Sequence, residues 1–255
     1  MGLHAIATGD GPPLVLVHGF TQTARSWRRV EPSLPTGYRR VAVDLPGHGG
    51  SGEVAVANLD EAARLLGELG GRATYIGYSL GGRTCLRLAL GSPELVERLV
   101  LIGATAGMAD DAERARRREA DEALAGELEA GGDPGVARFL ERWLAGPLFA
   151  HLSADQADLA ARLDNTARGL AASLRSCGTG TQPPSWEALG HLAMPVLVVA
   201  GERDARFASL GRGMVAAIGD NARLALIEGA GHPACFEAPE RFGALLGEFL
   251  AEPLR

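Results

Sequence analysis

The feature that most constrains the fold is a serine that stands between a short apolar run and an amphipathic segment. The run at residues 73–76 leads into Gly-Tyr-Ser-Leu-Gly at 77–81, and a helical pattern covers 80–90. A G-x-S-x-G sequence between a strand and a helix predicts a nucleophile elbow, a sharp turn that exposes the hydroxyl of Ser79. The glycines relieve the crowding that such a turn imposes on the backbone. The alternative is a glycine-rich turn that carries an incidental serine.

Five further short apolar runs, rich in Val, Ile and Leu, predict a central sheet. They lie at residues 14–17, 40–43, 99–102, 196–199 and 224–227. Uniform rather than alternating apolarity is typical of parallel strands that are covered on both faces. Helical patterns at 58–69 and 80–90 separate some of the runs, and another at 239–250 follows the last. The chain is therefore predicted to be an α/β protein with a mostly parallel, doubly wound sheet.

The interval between residues 102 and 196 is too long for one crossover helix and too helical in pattern for a loop. Helical patterns recur there at 110–130, 135–144, 153–163 and 166–177. We therefore predict a core of residues 1–105 and 186–255 that is interrupted by a helical cap at 106–185. Loops at the carboxyl ends of parallel strands form the ligand crevice, so an insertion at this point would cover that crevice as a lid.

A catalytic triad is predicted from residues that follow three of the strands. A serine hydroxyl is a weak nucleophile and a weak base at neutral pH, so it needs an imidazole that a carboxylate orients. Asp204 lies just past the run at 196–199, and His232 ends a glycine-rich loop after the run at 224–227. The order serine, aspartate, histidine is that of α/β-hydrolases. We expect Ser79, Asp204 and His232 to form the triad.

The oxyanion hole is expected beside the strand at 14–17. His18, Gly19 and Phe20 follow that strand directly, and the backbone N–H of Phe20 is predicted to be the first donor. The N–H of Leu80, the residue after the nucleophile, is predicted to be the second. His48 lies in a glycine-rich turn, where we expect it to brace the loop rather than take part in catalysis.

Arg83 is the first indication of the substrate's charge. It lies four residues after Ser79 on the elbow helix, so it is expected on the same face as the serine and near the positive end of the helix. A cation beside the nucleophile suggests an anionic substrate. The alternative is an arginine that turns outward and pairs with a nearby acid.

Composition excludes several classes of partner. The 255 residues carry a formal net charge of -6, which would not attract nucleic acid or an anionic membrane surface. No apolar run approaches the roughly 20 residues of a membrane span, and the N-terminal segment lacks the pattern of a signal peptide, so a cytoplasmic location is expected. The three cysteines are too scattered for a disulfide framework or a zinc site, and no metal or cofactor is expected.

Four motifs carry a resemblance to a known family. They are Asp-Leu-Pro-Gly-His-Gly at 44–49, the elbow with its arginine at 77–83, Gly-Thr-Gly-Thr-Gln-Pro at 178–183, and Gly-Glu-Arg-Asp-Ala-Arg-Phe at 201–207. Over nearly its whole length the chain resembles the 2-succinyl-6-hydroxy-2,4-cyclohexadiene-1-carboxylate synthases of menaquinone biosynthesis. The specificity of the match rests on Arg83 and on the 178–183 segment, since the other motifs are common among hydrolases.

The resemblance implies both a fold and a reaction. The fold is the α/β-hydrolase fold with a helical cap inserted after the sixth core strand. The reaction is a carbon–oxygen lyase reaction that eliminates pyruvate from 2-succinyl-5-enolpyruvyl-6-hydroxy-3-cyclohexene-1-carboxylate. In it Ser79, activated by His232, acts as a general base instead of attacking a carbonyl.

The resemblance also implies a set of substrate-binding residues. A small tricarboxylate substrate calls for several arginines that point into the pocket. The implied substrate-binding residues are Arg83, Tyr78, Arg117, Trp143 and Arg162. Packing alone is the alternative role of Tyr78, and in the cap Arg116, Arg118 or Arg168 could replace a neighbouring arginine. The expected partner is this substrate alone, bound by a monomer or a small homo-oligomer.

Two other functions fit the same motifs. A serine hydrolase of esters or carbon–carbon bonds would use the same triad with Ser79 as nucleophile, and a binding protein could keep the fold without catalysis. The charge of the pocket distinguishes the lyase from the hydrolase. Three or more arginines around Ser79 favour the lyase, whereas an apolar pocket favours a hydrolase.

Overall fold

One seven-stranded sheet forms the centre of the structure, a computed structural model that describes residues 2–253. The strands are β1 (Ala5–Thr8), β2 (Pro13–Val17), β3 (Arg39–Val43), β4 (Ala73–Tyr78), β5 (Val96–Ile102), β6 (Val196–Gly201) and β7 (Ala222–Ile227). Their order across the sheet is β1-β3-β2-β4-β5-β6-β7, and β1 is antiparallel to β3 while the other pairs are parallel. The predicted α/β-hydrolase fold is confirmed, and all six predicted runs are strands.

The position of the cap in the strand count differs from the prediction. Five strands of the described sheet precede it, not six. Residues 2–12 leave room for one short edge strand, β1, before the first buried strand, and not for two. The edge strand itself was not predicted, because it is only four residues long and mostly exposed.

The helices of the described chain cover both faces of the sheet and its carboxyl edge. They are α1 (Leu59–Gly70), α2 (Leu80–Gly91), α3 (Asp111–Leu144), α4 (Ala154–Ala157), α5 (Leu159–Arg162), α6 (Ala167–Cys177), α7 (Ala205–Ile218), α8 (Ala234–Glu237) and α9 (Pro239–Ala251). Short 3-10 helices occur at Ala24–Arg29, Glu31–Ser33, Gly49–Ser51, Pro93–Leu95, Pro147–Phe149 and Trp186–His191. None of the helices within residues 2–253 combines the length and the apolarity that crossing a bilayer requires.

Two hydrophobic layers flank the sheet. On β2, Val15 and Val17 belong to the layer that contains residues of α1, α2 and α7, whereas Leu14 and Leu16 belong to the layer that contains Trp27 and residues of α9. All four of these β2 side chains have no exposed surface. Alternate side chains of one strand thus enter different layers, which explains why the strands are apolar throughout.

The cap, a name used below for residues 106–185, has its own apolar cluster. The long helix α3 bends at Gly132, where φ is 56°, so its two halves correspond to the predicted helices at 110–130 and 135–144. The halves pack against α6 through residues that include Leu128, Leu140 and Leu170. The predicted helix at 153–163 is instead two single turns, α4 and α5, because Asp158 between them has a φ of 47°.

Candidate active site

Ser79 occupies the strained turn that the sequence predicts. It lies between the last residue of β4 and the first residue of α2, with a φ of 51° and a ψ of −107°. Side-chain-bearing residues rarely adopt such dihedrals, and strain of this kind concentrates at functional sites. A Cβ atom on Gly77 would lie 2.4 Å from the carbonyl oxygen of Gly81, and one on Gly81 would lie 2.2 Å from the carbonyl oxygen of Val17. Both glycines are therefore required for the turn to fit under its neighbours.

The structure brings Ser79, His232 and Asp204 into one hydrogen-bonded chain. The Nδ1 atom of His232 lies 2.8 Å from Oδ2 of Asp204, and its Nε2 atom lies 3.4 Å from Oγ of Ser79. The other carboxylate oxygen of Asp204 accepts a hydrogen bond of 3.1 Å from the amide of Phe207. Because a carboxylate only accepts, Nδ1 carries the proton, and Nε2 is free to take one from the serine.

The ring of His232 is held in a fitted slot. A Cβ atom on Gly103, at the carboxyl end of β5, would lie 2.9 Å from Cε1 of His232, so glycine leaves the space that the ring occupies. The rings of Phe207 and Tyr78 lie 4.4 Å and 5.4 Å from it, measured between centroids. The histidine is 4% exposed. Packing on several sides thus fixes the orientation of the imidazole.

Tyr78 supports the site from beneath instead of lining it. Its ring is 3% exposed and also lies 5.5 Å from the ring of Phe236, and burial raises the pKa of its hydroxyl well above the usual range. It is not among the residues that line the cavity at Ser79. The structure shows Tyr78 packed beside His232, and its implied contact with substrate stays a prediction. Its place at the end of β4 turns the side chain into the layer below the serine.

The two expected oxyanion donors lie beside the serine with free N–H groups. Phe20 and Leu80 line the same small cavity as Ser79 and His232. Among residues 2–253, neither backbone N–H has an acceptor, although the amides of Gly19 and Thr21 on either side of Phe20 do. Leu80 is also the first residue of α2, where the helix dipole favours negative charge.

Two buried histidines hold the loop that carries Phe20. The Nε2 atom of His48 accepts from the amide of Thr21 at 3.4 Å, and that of His18 accepts from the amide of Leu45 at 3.1 Å. The Nδ1 atom of each donates to a nearby backbone carbonyl. Burial lowers the pKa of both rings, that of His48 to about 3. Both rings are therefore neutral acceptors at Nε2, and His48 braces the loop as the sequence predicts.

Arg162 serves the same loop rather than the cavity. Its guanidinium donates to the hydroxyl of Thr21 and, at 2.7 Å, to the carbonyl of Ala157. Asn165 donates to the carbonyl of Thr21 at 2.8 Å. Arg162 is 2% exposed and is not among the residues that line the cavity, and its implied contact with substrate stays a prediction. Asp158, with a φ of 47°, separates α4 from α5, the single turn that carries this arginine.

A crevice between cap and core opens at Ser79. It consists of a small pocket of about 100 Å³ and an adjoining one of about 450 Å³. The residues that line both are Ser79, Arg83, Arg117, Leu148, Thr179 and Phe207. Trp143, which the resemblance assigns to substrate binding, lines the smaller pocket with its ring 5.3 Å from that of Phe20.

Arg83 points into this crevice without a carboxylate partner. It donates to Oε1 of Gln182 at 3.1 Å and to the carbonyl of Cys177 at 2.8 Å, both neutral acceptors. Among the described residues, no acid lies within ion-pair distance of its guanidinium. Burial lowers the pKa of Arg83 to about 10, and the charge of Arg117 adds to this effect while that of Asp121 opposes it. The outward-turned alternative does not occur.

Arg117 supplies a second cation and is paired with an acid. Its Nε atom donates to Oδ1 of the buried Asp121 at 2.8 Å. Burial raises the pKa of Asp121, and the charge of Arg117 opposes that effect. The three arginines considered as replacements lie elsewhere: Arg116 and Arg168 are exposed, and Arg118 donates to the carbonyl of Gly180. Arg117 is thus the arginine of this group that the fold brings to the crevice.

Arg206 also lines the larger pocket, although it was not predicted as a site residue. It follows Asp204 by two positions and lies 3.6 Å from Glu113 of the cap, which lines the same pocket. The signal that could have found it was its place within the 201–207 motif, next to the predicted acid. Three arginines therefore line the crevice that opens at Ser79, and Arg206 is not one of those expected. Within residues 2–253, no group of three His, Cys, Asp or Glu side chains could hold a metal ion.

The serine, imidazole and carboxylate at the carboxyl ends of this sheet define an enzyme of the α/β-hydrolase class. The chain matches the Alpha/beta hydrolase family over residues 14–245. The 2-succinyl-6-hydroxy-2,4-cyclohexadiene-1-carboxylate synthase of Salmonella schwarzengrund is 36% identical over 92% of both chains, and that of Serratia proteamaculans is 32% identical over 96% of this chain and 95% of its own. The MenH structure from S. aureus superimposes with a TM-score of 0.89 at 28% identity, covering 97% of each chain. The chain belongs to the family of 2-succinyl-6-hydroxy-2,4-cyclohexadiene-1-carboxylate synthases.

Proposed function

We propose that this protein eliminates pyruvate from 2-succinyl-5-enolpyruvyl-6-hydroxy-3-cyclohexene-1-carboxylate, as a lyase of menaquinone biosynthesis. The observation that carries the proposal is the charge around the serine. Arg83 is buried beside Ser79 with only neutral acceptors, and Arg117 lines the same pocket. Such an arrangement is costly without an anionic ligand and favourable with one, since a buried cation needs a compensating charge.

In the proposed reaction Ser79 is a base. The oxygen of Ser79 removes the ring proton next to the succinyl ketone and passes its own proton to Nε2 of His232. The electron pair left on carbon forms an enolate, which then expels the enolpyruvyl oxygen as the ring diene forms. The departing enolate takes up a proton from His232 and becomes pyruvate, so the triad returns to its starting state. The orientation of His232 by Asp204 supports both transfers.

The negative charge of the enolate would be stabilised by backbone amides. The N–H groups of Phe20 and Leu80 line the pocket with Ser79 and have no acceptor of their own within the described chain. Preorganised donors of this kind stabilise a developing charge without reorganisation. We assign Arg83, Arg117 and Trp143 to substrate binding, and Arg162 with Tyr78 to positioning the loop and the imidazole.

The wider setting of the reaction is also part of the proposal. A net charge of -6 and buried, unpaired thiols at Cys85, Cys177 and Cys235 favour a cytoplasmic enzyme that acts on a small polycarboxylate without cofactor, nucleic acid or membrane. We expect it to act as a monomer or a small homo-oligomer.

Pyruvate release from the enolpyruvyl precursor tests the function directly. Purified protein is expected to release pyruvate faster than the enzyme-free background, measured by coupling to lactate dehydrogenase. Ser79→Ala should lower kcat by about 10³-fold or more, because the group that carries the proton is lost. Ser209→Ala, an exposed serine on α7, is the matched control.

A hydrolase is the outcome that would contradict the proposal. An esterase from Thermogutta terrifontis has the same fold, with a TM-score of 0.81 at 25% identity over 97% of this chain and 92% of its own. Hydrolysis of simple esters by the wild-type protein, with no pyruvate above background, would assign Ser79 the role of nucleophile instead.

A further inference from the structure

The charged groups of the crevice do not balance a tricarboxylate. The charged side chains that line it are those of Arg83, Arg117, Arg206 and Glu113. Arg117 is also paired with Asp121 behind it. The substrate of the proposed reaction carries three carboxylates, so at least one further cation must become available when it binds.

Arg206 is the cation whose present partner is held most loosely. Arg83 and Arg117 are fixed by hydrogen bonds of 2.8 Å. Arg206 and Glu113 approach only to 3.6 Å without a hydrogen bond, and their side chains are 63% and 48% exposed. Exposed pairs of this kind contribute little to stability, so a competing anion displaces one partner at little cost.

The pair also lies where a substrate would enter. Arg206 is in the first turn of α7, next to Phe207, whose ring packs on His232. Glu113 is in the first turns of α3, on the cap side of the same pocket. A carboxylate that reaches from Ser79 towards the mouth of the crevice therefore meets Arg206 on the core and Glu113 on the cap.

We propose that Arg206 is a third carboxylate-binding group of this site, and that Glu113 occupies it only until substrate displaces the glutamate. The inference rests on the proposed function for the identity of the substrate. Arg83 and Arg117 bind the two carboxylates nearest the serine, and Arg206 binds the one nearest the mouth. Glu113 acts against the substrate through like-charge repulsion, so its removal strengthens binding.

Steady-state kinetics of pyruvate release test the roles of both residues. Arg206→Ala should raise KM by about 10-fold with a smaller change in kcat, because a rim contact acts mainly on binding. Glu113→Gln should lower KM by a few-fold, since the competitor has lost its charge. The increase of KM with added salt should be weaker in Arg206→Ala than in wild type, because one screened ion pair is missing. Arg212→Ala on α7 and Glu119→Gln on α3 are exposed controls outside the crevice and should match wild type.

Binding of inert ring carboxylates separates this inference from the proposed function. Isothermal titration with cyclohexane-1,3,5-tricarboxylate and cyclohexane-1,3-dicarboxylate needs no turnover. Arg206→Ala should weaken binding of the tricarboxylate by about 10-fold and binding of the dicarboxylate by much less. If wild type releases no pyruvate but this pattern holds, the proposed function fails and the role of Arg206 stands. The inference is overturned if an active Arg206→Ala enzyme has an unchanged KM. It is also overturned if wild type neither turns over the precursor nor binds the tricarboxylate.

Discussion

Replacing Arg83 by methionine removes a buried charge while nearly keeping the volume of the side chain. In the ligand-free protein, the lowering of its pKa from the ordinary arginine value to about 10 corresponds to roughly 3 kcal/mol of unfavourable free energy for the charged form. Because this folded-state value lies below the ordinary one, the cost is fully present below about pH 10 and disappears as the pH rises towards the ordinary pKa of arginine. At neutral pH the methionine variant therefore escapes it completely.

The variant also loses favourable interactions. Gln182 and the carbonyl of Cys177 lose the hydrogen bonds that Arg83 donates to them. The two effects oppose each other, so the free energy of unfolding should stay within about 2 kcal/mol of wild type, whereas breaking a buried ion pair costs about 3–5 kcal/mol. Catalysis should respond differently. Loss of a buried charged contact to a substrate carboxylate costs about 2–5 kcal/mol, or roughly 30- to 5,000-fold in kcat/KM.

Two measurements on one variant test this reasoning. The pyruvate assay gives kcat/KM for Arg83→Met, and urea denaturation gives its free energy of unfolding. Arg87→Met is the matched control, since Arg87 is on the same helix but pairs with Asp60 outside the crevice. A kcat/KM within about 3-fold of wild type would refute the binding role. A loss of more than about 3 kcal/mol of stability would show that Arg83 is instead a structural cation.

Two further predictions concern the supports of the site. The pKa of His48 lies near 3, below its ordinary 6.5, so its neutral form stabilises the fold above pH 6.5 and this stability is lost as the pH falls from 6.5 towards 3. His48→Asn should reduce the dependence of the unfolding free energy on pH between 6 and 4 by up to about 1.4 kcal/mol per pH unit. Urea denaturation at several pH values measures this free energy, and an unchanged dependence on pH would contradict the prediction. Gly103→Ala should lower kcat by about 10²-fold, since its methyl group would lie 2.9 Å from His232. Gly71 also has a positive φ, but a Cβ atom there would meet nothing within 4 Å. Gly71→Ala should therefore lower the stability without lowering kcat. An equal loss of kcat in both variants would assign the effect to backbone strain.

Elements with a strong local pattern could be predicted from the sequence, and those with a weak one could not. The buried strands and the helix after Ser79 have uniform or periodic apolarity. The edge strand β1 is mostly exposed, so it has no such pattern. Helix α7 was not predicted, and its low-propensity residues Gly211 and Gly213 weaken its signal. The single helix expected at 153–163 is interrupted by the left-handed residue Asp158, which local pattern does not reveal.

The polar residues of the site also include some that the sequence could predict and some that it could not. Ser79, Asp204 and His232 were predictable because each stands at the end of a strand, in the order that the fold requires. For the cap arginines, no such rule applies. A guanidinium on a long side chain can reach several surfaces, and the choice depends on what packs beside it. Arg162 turns to the loop of Thr21, and Arg206 lies in the crevice that Arg162 was expected to line.

The sequence by itself determined the serine of the elbow, its two partners and the order of strands and helices that carries them. These depend on short-range rules, such as the space that glycine leaves and the alternation of apolar segments. Only the tertiary structure decided which cations face Ser79 and how each is compensated. Arg83 meets neutral acceptors, Arg117 meets Asp121, and Arg206 meets Glu113 across the mouth of the crevice. That distinction arises from contacts between residues far apart in the chain, and it is what makes the site suited to a polyanionic substrate.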